Sequence, residues 1–194
     1  MARLNTLERQ KIIIDEAINI IHENGYESFS IRELASRVKI SEPAIYRHFL
    51  NKEDIILGIL SRFHEFENLL AKEINDFDNP LDKIRHFIFF HFKFLEENKE
   101  LTSVIFAENI FNQSKLLRKK FMSVIERRKD ILSEIIENSK SQKQIKDINT
   151  DELLTIILGY IRFVVFEWRF SGFKFSLVKR SQNFIQIFEN IIAK

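Results

Sequence analysis

Four glycines and two prolines in 194 residues leave this chain very few of the residues that tight reversals need. Glycine supplies positive φ and proline pre-sets φ near −65°, so a sheet with a turn every several residues draws heavily on both. Helices need a break only at each end. An all-α fold is therefore the economical expectation. The remaining composition is globular, 45% hydrophobic and 30% charged, with no low-complexity tract and no repeat of solenoid length. The length suits one large domain or two small ones.

Cysteine is absent, which excludes disulfides and thiolate metal sites and fits a reducing compartment. The opening residues "MARLNTLERQK" lack the apolar core of a signal peptide. The most apolar late stretch, "LLTIILGYIRFVVFEW", carries Arg162 and Glu167, so a buried helix is expected there rather than a membrane span. These features predict a cytoplasmic protein with no membrane partner. The net charge of +2 names no partner, but its distribution is uneven. Residues 1–29 carry three Lys or Arg against five Asp or Glu, whereas residues 30–52 carry five against two, with His48 besides. A locally basic segment attracts polyanions.

Helix signals crowd the same region. An apolar stripe of Ile14, Ala17, Ile18 and Ile21 predicts a first helix over about 7–24, with Gly25 as its C-terminal stop. Ser30 with Glu33 reads as a capping box opening a second helix, whose inner face is Ile31, Leu34, Ala35 and Val38. Only Lys39 and Ile40 precede Ser41, a second N-cap, with Pro43 in the next first turn. Asn51 with Glu53 and Asp54 marks the start of helix four. Two short helices joined by so tight a turn form a helix-turn-helix, in which the first braces the second for a DNA groove.

From Ile13 to Leu60 the chain resembles the DNA-binding domain of the tetracycline-repressor (TetR) family of bacterial transcription regulators. The matching pieces are "IIDEAINIIHENGYESFSIRELA" and "ISEPAIYRHFLNKEDII". Their most distinctive part is Tyr46, His48, Phe49 and Lys52, in the pattern Y-x-H-F-x-x-K. The resemblance implies an all-α protein of about nine helices: a three-helix DNA-binding domain over residues 1–52 and a helical effector-binding and dimerisation domain over 53–194. It also implies a bacterial, nucleoid-associated location. One departure stands out: family members usually place Gly where this chain has Lys39, and a left-handed residue there costs about 1 kcal/mol without glycine.

The residues divide by chemistry. Ser30 and Ser41 cap helix starts that face phosphates. Tyr46 and His48 donate to phosphate oxygens, and Lys52 neutralises one. Arg32 and Arg47 are the candidates for base edges, since a guanidinium pairs bidentately with guanine. Pro43 and Ala44 suit a thymine methyl. Glu42 accepts from a cytosine amine or serves only the helix dipole, and Lys39 adds charge to the surface.

Eighteen of the twenty phenylalanines follow residue 62. "LDKIRHFIFFHFKFLEEN" is apolar nearly all round, as a central bundle helix is. A short helix is expected over 100–111 and a long one over 114–139. A polar loop follows over 139–150, then two last helices over about 151–171 and 176–193. Ile157, Ile161, Val164, Phe184, Ile187, Phe188 and Ile191 exceed what one small domain needs, and the resemblance implies that these helices pair with a second copy. A homodimer reads a palindromic operator with two recognition helices. The resemblance further implies a small-molecule pocket, with helix four linking it to the DNA-binding domain. His91, Phe94, Phe106, Phe111, Tyr160, Phe163 and Trp168 are the pocket candidates, suited to a flat or lipophilic effector.

Nothing in the sequence points to an enzyme. His86 and His91 lack the paired Glu-x-x-His of di-iron bundles, and no phosphate loop, nucleophile elbow or zinc spacing appears. No cofactor or metal is expected. The expected function is a DNA-binding repressor released by an effector. The alternative is a ligand-independent DNA-binding protein of the same architecture, acting in chromosome organisation or cell division through a protein partner.

Overall fold

A computed structural model describes residues 5–193, and every regular element among them is helical. In chain order these are α1 (Thr6–Asn24), a 3-10 turn (Tyr26–Ser28), α2 (Ile31–Val38), α3 (Glu42–Tyr46), α4 (Lys52–Ile74), α5 (Pro80–Glu97), α6 (Leu101–Ile105), α7 (Glu108–Asn112), α8 (Lys115–Ser141), α9 (Thr150–Phe170) and α10 (Leu177–Ile192). Ten α-helices stand among the described residues where about nine are expected, because the stretch 100–111 breaks into α6 and α7. None of them is long and apolar enough to cross a membrane.

The chain forms two compact units. The first comprises the residues up to Glu65 together with Lys99–Val124, and the second Phe66–Asn98 with Ile125–Lys194. Both α4 and α8 therefore begin in one unit and end in the other.

In the first unit α1, α2, α3 and the start of α4 enclose Ile13, Ala17, Ile20, Leu34, Ile45, Ile55 and Ile59, all fully buried. Asn5 opens α1 with a complete capping box to Glu8, a signal hidden by the later apolar stripe. Gly58 lies inside α4, where glycine weakens a helix. A Cβ there would meet Ile14 Cδ1 at 2.9 Å and Phe49 Cε1 at 3.3 Å, so its absence lets α4 lie close on α1. α6 packs against α1, and Phe111 stacks on Phe121 at 3.9 Å.

In the second unit α5 is the central helix, packed on α10 and α9. Phe87, Ile88 and Phe92 are fully buried along it. Phe66 stacks on Phe90 at 5.1 Å and meets Phe94 at 4.3 Å. Glu96 reaches the start of α10, where Oε2 accepts from the Val178 amide at 2.7 Å. The expected loop begins later, after Ser141, and is anchored: Ile145 is buried and the Lys146 amide donates to the Ile192 carbonyl at 2.9 Å.

Candidate nucleic-acid interface

Ser30 caps α2 by accepting the Glu33 amide at 3.2 Å. The expected capping box is only half made, because the Glu33 carboxylate turns to Arg37 and Asn24 instead. α2 ends on Lys39 in the left-handed conformation, φ 58° and ψ 43°. The Ile40 amide then closes back on the Ala35 carbonyl at 3.0 Å, a Schellman-type stop. The departure at Lys39 thus leaves the turn geometry intact and places a lysine where glycine is cheapest.

Ser41 precedes α3 but makes no side-chain cap bond, contrary to expectation. Its carbonyl instead accepts from the Ala44 and Ile45 amides. Ile45 is the buried anchor of α3, while Glu42, Pro43, Tyr46 and Arg47 are exposed and Ala44 is half-buried. Tyr46 is 49% exposed, a large aromatic that the core does not use. Arg32 and Lys39 are exposed as well. Arg37 is not a member of this surface: Glu16, Glu23 and Glu33 hold its guanidinium at 3.3, 2.7 and 3.2 Å. This hydrogen-bonded cage raises the Arg37 pKa and, by the same Arg37 hydrogen bond, lowers that of Glu23.

Two further signature residues are half-buried and make contacts within the chain. The His48 carbonyl accepts from Gln10 Nε2 at 3.2 Å, and its ring Nδ1 is buried without a partner. Lys52 Nζ lies 4.0 Å from the centroid of Tyr26 and 5.2 Å from that of Phe29, and reaches the Tyr26 carbonyl at 3.4 Å. Burial lowers its pKa. The ammonium is therefore seated on the turn between α1 and α2. Sequence reasoning missed Tyr26, whose ring is the seat. Its hydroxyl donates to Gln113 at 3.0 Å, Asn109 donates to Glu27 at 2.7 Å, and the Ser114 hydroxyl donates to Glu53. Three polar links thus tie the α7–α8 junction to the base of the helix-turn-helix.

The seven pocket candidates divide between the units. Phe106 and Phe111 belong to the first; His91, Phe94, Tyr160, Phe163 and Trp168 belong to the second. Phe163 is 60% exposed, so it lines no interior. His91 is the most telling of the others: it is buried, Nδ1 bonds the Phe87 carbonyl at 2.7 Å, and Nε2 has no partner. Burial and the Arg128 charge hold its pKa well below 6.5, so the ring is neutral with its proton on Nδ1. Near it Phe66 carries the His91 ring edge-on at 5.0 Å and the Arg128 guanidinium at 5.7 Å. Arg128 also pairs with Glu67 at 3.6 Å. Glu67 is 1% exposed, and burial pushes its carboxyl up to about 7 against the pull of Arg128 and Arg127. This polar knot was not legible, since its members lie far apart in the chain. A separate cleft of about 290 Å³ in this unit is lined by Ile74, Lys83, Arg127, Asp130, Glu134 and Asn138, among others, and by none of the seven.

The interface candidates also divide. Ile157, Ile161, Val164, Phe184 and Phe188 are core of this single chain, whereas Ile187 and Ile191 are exposed. The outward stripe of α9 is Ile156, Phe163, Phe166 and Phe170. Tyr160 stacks on the buried Phe184 at 3.7 Å, which ties α9 to α10.

The helix-turn-helix geometry has its counterpart in comparisons with known proteins. The family model described as "Bacterial regulatory proteins, tetR family" matches residues 13–59, and "YsiA-like protein, C-terminal region" matches residues 60–192. The chain is 27% identical over 178 residues to the fatty acid metabolism regulator protein of Bacillus subtilis, covering 90% of this chain and 91% of that one. It is 25% identical over 181 residues to the nucleoid occlusion factor SlmA of Vibrio cholerae, covering 90% and 91%. Among solved structures, FadR from Bacillus subtilis in complex with stearoyl-CoA superposes with a TM-score of 0.80 at 26% identity, over 91% of this chain and 96% of that one.

Proposed function

We propose, for a chain that belongs to the TetR family of bacterial regulatory proteins, that it is a homodimeric repressor of transcription whose DNA grip is released by a lipophilic effector. The observation that carries this reading is the surface of Arg32, Tyr46 and Arg47, exposed around a turn whose core face is closed by Ile45. Arg47 and Arg32 present planar donor forks suited to guanine edges. Tyr46 offers a hydroxyl to the backbone, where such contacts fix register without reading bases. Ser30, Lys39, Ser41, Glu42, Pro43, Ala44, His48 and Lys52 complete the proposed DNA-facing set.

The outward apolar residues of α9, Ile156, Phe163, Phe166 and Phe170, and Ile187 and Ile191 of α10 support pairing with a second copy, since large exposed apolar patches mark interaction surfaces. Twofold symmetry then sets two α3 helices one duplex turn apart, about 34–36 Å, on a palindromic operator. The effector class we favour is a long-chain acyl-CoA ester, supported by the relative solved with stearoyl-CoA and by the aromatic-rich second unit. His91, Phe94, Tyr160 and Trp168 are the proposed acyl contacts there.

The test starts with selection of a binding site from random duplexes by the purified protein, followed by titration of the recovered complex with stearoyl-CoA. Tyr46→Ala is expected to weaken binding at least tenfold with helix content unchanged. Unchanged affinity would remove Tyr46 and its neighbours from the DNA surface. Similarity to the nucleoid occlusion factor supports a second reading without an effector. Occupancy of many dispersed genomic sites, indifferent to acyl-CoA, is the outcome that selects it.

A further inference from the structure

α8 begins with the wrong sign of charge for a helix. Its first six residues, Lys115 to Lys120, hold Lys115, Arg118, Lys119 and Lys120, and no Asp or Glu occurs from residue 109 to residue 125. A helix N-terminus carries partial positive charge, so acids are favoured there and cations are not. The fold does not compensate. All four side chains are exposed and none has a carboxylate partner among the described residues, whereas Arg37 and Arg62 of the same unit are held by Glu16, Glu23, Glu33, Asp15 and Glu65. The opposite face of the helix is fixed: Leu117 and Val124 are buried, and Phe121 stacks on Phe111. The cations are thus displayed on a rigid rod rather than on a loop.

The place of that rod decides its partner. Ser114, which accepts the Leu116 and Leu117 amides to start α8, donates its hydroxyl to Glu53 in the first turn of α4. Gln113 takes the Tyr26 hydroxyl, and Asn109 holds Glu27. α8 therefore sets out beside the segment leading into Ser30 and beside Lys52, the two helix starts at the edge of the DNA-reading surface. At 1.5 Å per residue, Arg118 lies only about 6 Å along the axis from Ser114.

We infer that the first turns of α8 are a second DNA-contacting surface, which binds backbone phosphates of the duplex outside the half-site read by α3. The inference rests on the DNA-binding reading above. Three of the four cations are lysines, compact charges on flexible stems that suit phosphates and carry no base code. Leu116 and Met122 are the exposed apolar neighbours on this stretch, too few for the continuous apolar face that seats a helix on a membrane. This second surface would lengthen the footprint and steepen salt dependence without changing the recognised sequence.

The test uses the full chain carrying Lys115→Gln, Arg118→Gln, Lys119→Gln and Lys120→Gln. Binding to a mixed-sequence duplex of about 40 base pairs is followed by fluorescence anisotropy across a salt series. Every phosphate that is no longer neutralised flattens the log–log slope by about 0.9, so a slope shallower by about 2 or more is expected. A slope within about 0.5 of wild type, with Arg47→Gln weakening the same complex, overturns the inference and leaves the helix-turn-helix reading standing. No salt-sensitive duplex binding by wild type sinks both. If the variant keeps its salt slope but loses affinity for stearoyl-CoA, the cations serve the coenzyme's phosphates and the inference fails. Should the fourfold variant not fold, the pairs Lys115→Gln with Lys119→Gln and Arg118→Gln with Lys120→Gln are each expected to flatten the slope by about 1.

Discussion

The Lys52 ammonium sits 4.0 Å above the centroid of the Tyr26 ring, and the Tyr26 hydroxyl is held in turn by Gln113. A cation over an aromatic face is attracted by the ring quadrupole, by about 0.5–1 kcal/mol at part-exposed sites. This seat couples the start of α4 to the turn between α1 and α2. A double-mutant cycle of Lys52→Met and Tyr26→Leu, read by urea unfolding, is expected to give a coupling of about 0.5–1 kcal/mol. Additive effects would mean that the ammonium leaves the ring in solution.

Lys39 holds φ 58° without being glycine. The conformation costs an L-residue roughly 1 kcal/mol, offset in part by the greater freedom of glycine in the unfolded chain. Lys39→Gly is expected to raise unfolding stability by about 0.5–1 kcal/mol. A drop in stability would show that the lysine side chain contributes more than its backbone strain.

Glu67 gives the protein a pH signature. Between the ordinary value of 4.5 and about 7 the folded chain keeps a proton that the unfolded chain has released. Stability from this group is therefore full below 4.5 and is lost as pH rises through about 7. His91 acts oppositely: burial favours its neutral form, so its share is present above 6.5 and is lost as pH falls below. Glu67→Gln removes the first effect. Relative to wild type it is expected to gain on the order of 2 kcal/mol between pH 5 and pH 8, whatever constant offset follows from altering the partner of Arg128. Parallel stability curves for the two proteins would contradict the buried-acid account.

The outward face of α9 and α10 separates assembly from folding. Ile187 is 59% exposed, so Ile187→Asp leaves the single chain intact yet places a carboxylate in the proposed interface. Dimer affinity is expected to fall at least about a hundredfold, seen by sedimentation. Ile161, inside the core, behaves differently: Ile161→Ala is expected to lower unfolding stability by roughly 2–4 kcal/mol. A dimeric Ile187→Asp variant would move the interface elsewhere.

The helix-turn-helix was legible because its signals are local: caps, a turn residue and a short inward face lie within twenty residues of one another. The α9 stripe was not. Apolar residues occupy both sides of that helix, Ile157, Ile161 and Val164 on one and Ile156, Phe163 and Phe166 on the other. Periodicity finds two faces but cannot say which one the chain covers by itself. Lys52 was read correctly as a cation at a helix start, yet its seat on Tyr26 depends on a ring twenty-six positions earlier. The knot of Glu67, His91 and Arg128 is longer-range still, and only the packing of Phe66 brings its parts together.

Trp168 is the one tryptophan of the chain. It is buried in the second unit, edge-on to Phe173 at 4.7 Å, with its indole N–H unpartnered. Intrinsic emission is thus a single-site reporter. A quencher or polar group arriving beside that indole registers in the spectrum without any label, whereas events confined to the α3 surface leave no tryptophan of their own to report them.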